Sequence, residues 1–341
     1  MTIKMTKGKF NGLTKLSNEQ GLFVATAIDQ RGSLKKSLSA ALGNQADDFH
    51  VSEFKRLVSE ELTPYSSAIL LDPQYGWEAA KVRDKRCGLL IAYEETGYDT
   101  KVPGRLPDLL PDWSVRRYIE KGVDAIKILM YYDPDDADRI NLQKQVFIER
   151  IGSECDANDI PFFFEAVTYR DDIPDSGSAE FAKAKPEKVK KYMREFTKPQ
   201  YHIDCLKVEV PIDIKYVAGT KSNKDHEAVY SRDEALQHFK DTSVLTTVPF
   251  IYLSAGVTNE AFIETLELAG EAKTPFSGVL CGRATWSDGI DVYGKSGVEG
   301  LRTWLKEEGV QRMNHLGRVL QHTALPWWEF YGGKGNIEVM E

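Results

Sequence analysis

In the string Cys205–Pro211 (CLKVEVP), Lys207 and Glu209 alternate with Leu206, Val208 and Val210. In a strand, that alternation puts the two charges on one face and the apolar trio on the other. Other apolar, strand-like runs also carry ionisable residues, most of them in the second half: Asp29, Asp72, Glu94, Lys127, Glu165 and Arg283. Ionised groups buried in a fold cost several kcal/mol unless they are paired or used. Two lysines, an arginine and several carboxylates converging on one place suit an amine nucleophile. A neutral lysine attacks a ketone and forms an iminium, which serves as the electron sink for C–C cleavage. A neighbouring ammonium disfavours the charged form of such a lysine, and a carboxylate moves the protons. Metal-assisted aldol chemistry would want histidines on the strands. His50, His202, His226, His238, His315 and His322 all fall outside these runs, which also disfavours a serine hydrolase. The expectation is chemistry without a metal or cofactor.

Each charge also has a plainer reading. Asp72 precedes Pro73 and reads best as a strand-end turn residue. Glu94, with Glu95 beside it, reads as the start of a solvated loop, and Glu209 as a structural partner for a lysine. Arg283 has the alternative of pairing with Glu209.

A second group of residues suits an anion. Leu253-Ser254-Ala255-Gly256 and Cys281-Gly282-Arg283 combine small residues, a hydroxyl and a planar fork of donors. At the ends of the last two strands of a barrel, such loops hold phosphate through backbone N–H groups.

The elements that must position these residues recur eight times. The runs are Gly21–Asp29, Ser66–Asp72, Gly88–Glu94, Asp124–Tyr132, Pro161–Tyr169, Cys205–Pro211, Phe250–Gly256 and Gly278–Ala284. Between them the 3.6-residue spacing predicts helices over 52–62, 114–121 (stopped by Gly122), 140–155, 259–272 and 298–308. Ser231 to Glu234 forms a capping box opening a further helix. Strand–helix alternation repeated eight times predicts an α/β fold, a closed (β/α)8 barrel. An open doubly wound sheet is the rival, but no G-x-G-x-x-G follows the first strand. The chain reads as a single domain, residues 1–341. The barrel occupies about 21–310, residues 1–20 cap its bottom, and a C-terminal helix and tail cover about 311–341.

The 341 residues carry 44 Lys and Arg against 52 Asp and Glu, a net charge of −8, with 42% hydrophobic residues. That supports a large core and excludes a disordered chain. The acidic balance argues against nucleic acid as a partner. No apolar run approaches the roughly 20 residues of a spanning helix, so no membrane partner is expected. Met1-Thr2-Ile3-Lys4 has no apolar signal core behind it, and the expected location is cytoplasmic. Cys87, Cys155, Cys205 and Cys281 have no CxxC spacing, and Cys205 and Cys281 read as core thiols.

Several strings resemble the tagatose 1,6-bisphosphate aldolase family: AIDQRG (Ala27–Gly32), ELTPY (Glu61–Tyr65), LLDPQYG (Leu70–Gly76), AYEETGYD (Ala92–Asp99), INLQKQ (Ile140–Gln145), ERIGSEC (Glu149–Cys155), IPFFFE (Ile160–Glu165), LKVEVP (Leu206–Pro211), YLSAGV (Tyr252–Val257) and GVLCGRATW (Gly278–Trp286). The resemblance spans about residues 8–328. It implies a class I, Schiff-base aldolase on a (β/α)8 barrel that cleaves D-tagatose 1,6-bisphosphate to dihydroxyacetone phosphate and glyceraldehyde 3-phosphate, in the breakdown of tagatose 6-phosphate from lactose or galactose. Lys207 corresponds to the family's Schiff-base lysine and Glu165 to its proton-transfer carboxylate. Asp29 and Lys127 line the same site, with Gln30 beside them. Ser254, Ala255, Gly256, Gly282 and Arg283 fall on phosphate-binding positions. A small ketose phosphate is the implied partner, and the resemblance leaves room for a homo-oligomer. Relatives that act on other ketose phosphates, including sulfonated ones, and a sugar-phosphate-sensing regulator on the same scaffold remain as alternatives. The tail Pro326–Glu341 is aromatic-rich and longer than the family pattern.

Overall fold

In the computed structural model, which describes residues 2–96 and 102–341, each of the eight apolar runs contains a strand, but the eighth strand stops at Cys281 and Arg283 opens a short helix instead of lying on the strand. After a short strand β1 (Ile3–Thr6) come β2 (Phe23–Ala27), β3 (Ala68–Leu71), β4 (Gly88–Ala92), β5 (Ala125–Tyr131), β6 (Phe162–Val167), β7 (Cys205–Val208), β8 (Phe250–Leu253) and β9 (Gly278–Cys281). Strands β2 to β9 are parallel, neighbour one another in chain order, and close where β9 pairs with β2. The (β/α)8 barrel is the observed architecture. A final strand β10 (Ile337–Met340) lies outside it.

The helices are α1 (Lys7–Leu16), α2 (Gly32–Leu42), α3 (Asp48–Leu62), α4 (Trp77–Val82), α5 (Val115–Glu120) and α6 (Asp138–Ala157), then α7 (Ala179–Phe196), α8 (Arg232–Ser243), α9 (Asn259–Glu271), α10 (Arg283–Trp286), α11 (Gly289–Trp304) and α12 (Val310–Thr323). The capping box at Ser231 and Glu234 forms as expected, and Gly122 ends α5 with φ +79°. Two boundaries differ from the periodicity. Helix α3 starts at Asp48 because Asp47 caps it together with His50. The helix expected at 298–308 does start after a break at Gly297, where φ is +62° and a preceding helical stretch from Gly289 ends, but it continues through a π turn (Leu305–Gly309) into α12. Helix α7 contains Pro186, which cannot donate to the carbonyl of Ala182. The Tyr230 hydroxyl donates to that carbonyl instead, so the helix continues. No helix among the described residues is long and apolar enough to cross a membrane.

Two apolar layers result from the alternation. Ile126, Ile128, Leu206 and Val208 pack outward against the helices. Ala125, Phe163, Cys205 and Ile251 point inward and fill the lower barrel. Leu13 and Leu16 of α1 plug that lower end, as expected of the N-terminal segment. The aromatic tail plugs it too. Trp327 is fully buried in the same cluster, its backbone N–H donates to Gly21 O at 3.0 Å, and β10 pairs with β1. The tail therefore closes the bottom and leaves the opposite, C-terminal mouth uncovered.

Candidate active site

The C-terminal ends of the strands surround a cavity of about 780 Å³. Asp29, Gln30, Glu165, Lys207, Ser254, Ala255, Gly256, Gly282 and Arg283 all line it, so the structure brings together nearly every site residue expected from the sequence. Lys127 is the exception. It lies beneath the lining, with no exposure.

The floor is an ion cluster set by strand register. On β5, Lys127 shares the inward parity of Ala125, while Ile126 and Ile128 face outward. Glu165 on β6 is the register partner of Lys207 on β7. Lys127 Nζ donates to Asp29 Oδ2 at 2.9 Å and Glu94 Oε1 at 3.0 Å, and lies 2.9 Å from Glu165 Oε2. Lys207 Nζ approaches that same Glu165 oxygen at 2.8 Å. Both contacts to Glu165 are ion pairs without hydrogen-bond alignment, so this buried oxygen has no aligned donor among the described residues.

Burial opposes charge throughout the cluster, and the neighbours decide the outcome. For Lys127, burial favours losing the proton, but Asp29, Glu165 and Glu94 outweigh it and raise its pKa well above the usual lysine value. For Asp29, burial again opposes the charge, but Lys127 and then Lys207 hold the carboxyl well below the usual carboxylate range. Glu94 goes the other way. Its burial exceeds the pull of Lys127, and its pKa is raised. Lys127 and Asp29 thus stay ionised across a wide pH range.

Three of the plainer readings can now be settled. Glu94 does not start a solvated loop: it is 3% exposed, faces the cavity and accepts from Lys127. Its parity with Leu90 and Ala92 is the signal that identifies it. The other end of its string, Gly97–Asp99, lies outside the described residues. Asp72 is a turn residue, as read. Its Oδ1 accepts from the N–H groups of Gln74 (3.0 Å) and Tyr75 (2.9 Å), and its other oxygen pairs with the buried Lys55 of α3. Glu209 lines the cavity and is held by the N–H of Thr168 at 2.7 Å and its hydroxyl at 2.6 Å, with Lys185 at 4.0 Å. All four cysteines are buried and free.

Beside Lys207, β8 and β9 end in the anion-suited loops. Ser254 is buried, while Ala255 and Gly256 both adopt left-handed backbone with φ +49° and +79°. The Arg283 guanidinium lies directly against Gly256, where an added Cβ would stand 2.6 Å from Cζ. Among the described residues Arg283 forms no ion pair, so the alternative of a Glu209 partner is not realised. Trp286 fixes this corner by donating from Nε1 to Ala27 O at 2.9 Å. Arg31, Arg105 and Tyr169 also line the cavity and were not singled out in the sequence.

Residues 23–288 match the model of the DeoC/LacD family aldolases. The chain is 53% identical over 339 residues to a tagatose 1,6-diphosphate aldolase of Listeria monocytogenes, covering 99% of each chain. It is 51% identical over 319 residues to one of Staphylococcus aureus, covering 94% of this chain and 97% of the relative. Among solved structures it is similar to a Schiff-base-forming fructose-1,6-bisphosphate aldolase, with a TM-score of 0.51 and 15% identity over 87% of this chain and 98% of that one. An archaeal fructose 1,6-bisphosphate aldolase gives 0.52 and 14% over 88% and 98%. At such identities these two structures speak to the shared barrel alone.

Proposed function

The chain belongs to the DeoC/LacD family of aldolases, and from that premise we propose that it cleaves D-tagatose 1,6-bisphosphate reversibly through a Schiff base on Lys207. The observation that carries the reading is the buried contact of Lys207 Nζ with Glu165 Oε2 at 2.8 Å, on the floor of a cavity that offers Ser254 and Arg283 to a phosphate.

In this mechanism Lys207 gives a proton to Glu165 and attacks C2 of the ketone as a neutral amine. Glu165 returns the proton to the carbinolamine oxygen, and water leaves to form the iminium. A carboxylate then removes the C4 hydroxyl proton. The C3–C4 bond breaks, its electrons pass into the iminium to give an enamine, and glyceraldehyde 3-phosphate departs. Protonation at C3 and hydrolysis release dihydroxyacetone phosphate and restore Lys207. Glu165 is the shuttle and Asp29 assists it. Lys127, beneath them, holds the carboxylates in place. Arg283 and the backbone around Ser254 and Gly282 clamp the C1 phosphate and orient the ketone. The reading extends to a cytoplasmic enzyme of tagatose 6-phosphate breakdown.

Borohydride reduction in the presence of substrate tests it. A stable adduct should form on Lys207 and be absent in Lys207→Met, and a panel of phosphorylated ketoses should release triose phosphate fastest from the tagatose bisphosphate. Labelling that persists in Lys207→Met, or a different preferred ketose, would overturn the corresponding part.

A further inference from the structure

Lys55 of α3 has no solvent exposure, and neither has Asp72, its partner just past the end of β3. Its helix neighbours Phe54, Leu57, Val58 and Leu62 belong to the apolar layer outside the barrel, where burying an ammonium is costly. The ammonium has two acceptors. It pairs with Asp72 Oδ2 and donates to the carbonyl of Ile28 at 2.8 Å. Ile28 is the residue before Asp29. Its N–H donates to Leu70 O at 2.9 Å, a rung between β2 and β3, and the preceding carbonyl, Ala27 O, accepts from Trp286 Nε1 at 2.9 Å. The peptide links on both sides of Ile28 are therefore gripped by side chains, one from α10 and one from α3. The anchor is itself fixed. Asp72 Oδ1 accepts from the N–H groups of Gln74 and Tyr75, and Asp72 O accepts from Gly76 N–H at 3.0 Å.

Resting on the aldolase reading above, we propose that Lys55 and Asp72 are positioning residues for C–C cleavage: by gripping the Ile28 carbonyl, the pair fixes the peptide that carries Asp29 and so sets that carboxylate against Lys127. An apolar pair of the same volume would pack between α3 and the barrel as well or better. What it could not do is hold the carbonyl. Strand β2 ends at Ala27, so Ile28 and Asp29 lie beyond its regular pairing and depend on such contacts for their orientation. From Asp29 the consequences pass inward. Its Oδ2 accepts from Lys127 Nζ at 2.9 Å, and Lys127 meets the same Glu165 oxygen that Lys207 meets. With the Ile28 carbonyl released, the Asp29 peptide can turn, and the carboxylate leaves its place over Lys127. Neither Lys55 nor Asp72 lines the cavity, so the pair acts on turnover through Asp29 and leaves ketose binding alone.

The test uses Lys55→Met with Asp72→Asn. Both charges go together, so no buried ion is stranded, and the asparagine keeps an oxygen for the N–H groups of Gln74 and Tyr75. On tagatose 1,6-bisphosphate, kcat should fall about 10–100-fold, with KM changed less than about threefold. Borohydride trapping of dihydroxyacetone phosphate on Lys207 should persist, which shows that the site is folded. The same two changes are then made in Asp29→Asn. There they should lower kcat less than about threefold, because the group they position is already gone. A pair with a purely structural role would cost the same factor in both backgrounds. Where the double change melts too low to assay, Asp72→Asn alone, which loosens Lys55 by removing its anion, should give a smaller kcat loss that again disappears in Asp29→Asn. Unchanged kcat in the folded variant, a loss carried mainly by KM, or equal factors in the two backgrounds would overturn the proposal. A wild-type protein that cleaves no ketose bisphosphate and traps no adduct would overturn the aldolase reading itself.

Discussion

Lys127 and Lys207 converge on a single oxygen atom, Glu165 Oε2, at 2.9 and 2.8 Å. Their other partners differ. Lys127 also holds Asp29 and Glu94 and is sealed from solvent, whereas Glu165 is the only acid within ion-pair distance of Lys207 among the described residues. Asp29, Glu165 and Glu94 outweigh burial and raise the pKa of Lys127 well above the usual lysine value, so Lys127 keeps its proton. Lys127 is thus a fixed counter-charge, and in the proposed mechanism Lys207 is the nucleophile. Glu165 lies between them, and in the proposed mechanism it receives the proton that Lys207 gives up.

Two substitutions separate these roles. Glu165→Gln keeps the shape but removes the base, and kcat should fall by about 10²–10⁴ while phosphate binding persists. Lys127→Met leaves Asp29 and Glu94 buried without their cation. Stripping one partner from a buried ion cluster costs about 3–5 kcal/mol, so its denaturant midpoint should fall well below that of Glu165→Gln. Equal midpoints for the two variants would contradict the division of labour.

The acid limb of stability offers a second test. The folded-state pKa of Asp29 is depressed, so its contribution is present above the ordinary carboxylate value of about 4 and drains away as pH falls through the lowered folded value. Asp29→Asn should therefore melt below wild type at neutral pH, and the gap should narrow as pH drops below about 4. The folded pKa of Glu94 is raised, which reverses the sign: its contribution is complete below the unfolded value and is lost as pH rises through the folded one. The deficit of Glu94→Gln should be largest in acid and shrink toward neutral pH. Melting curves recorded across the pH range check both slopes, and parallel offsets independent of pH would show that these charges are not the cause.

What was legible in the sequence follows from periodicity. A period of two set the strands and turned Lys207, Lys127 and Glu165 inward, because the barrel buries both faces of each strand and leaves a charge no neutral place to go. The same parity applies to Glu94, yet the adjacent Glu95 made it look like a loop. Lys55 was hidden for a related reason. On α3 it sits beside Phe54 and reads as a surface lysine, and its burial becomes visible only once Asp72 is placed across from it. Arg105 lies outside regular elements, where no period marks which way a side chain points, and Tyr169, at the end of the run Pro161–Tyr169 and on the parity of Glu165, lies beyond the end of β6 at Val167. Their meeting depends on how the rim loops fold over β5 and β6. The tail was illegible for the opposite reason. Its aromatics are plain in the sequence, but only the pairing of β1 with β10 assigns them to the bottom of the barrel.

Gly256 has φ +79°, which a residue bearing a Cβ adopts at a cost, and an added Cβ would stand 2.6 Å from Arg283 Cζ and 2.7 Å from Nη2. Gly256→Ala therefore displaces the guanidinium without altering its charge. A bidentate, charge-assisted contact is worth about 1.5–3 kcal/mol, so displacing it should lower kcat/KM for 1-phosphorylated ketoses at least about tenfold. Arg283→Lys, which keeps the charge and loses the planar fork, should give a loss of similar kind. Adding Arg283→Lys to Gly256→Ala should cost less than the sum of the two single losses, because both act on one contact. Ketoses lacking the C1 phosphate should be nearly indifferent to either change. Steady-state kinetics on the two single variants and the double variant measure this, and additive losses would mean that Gly256 does not act through Arg283.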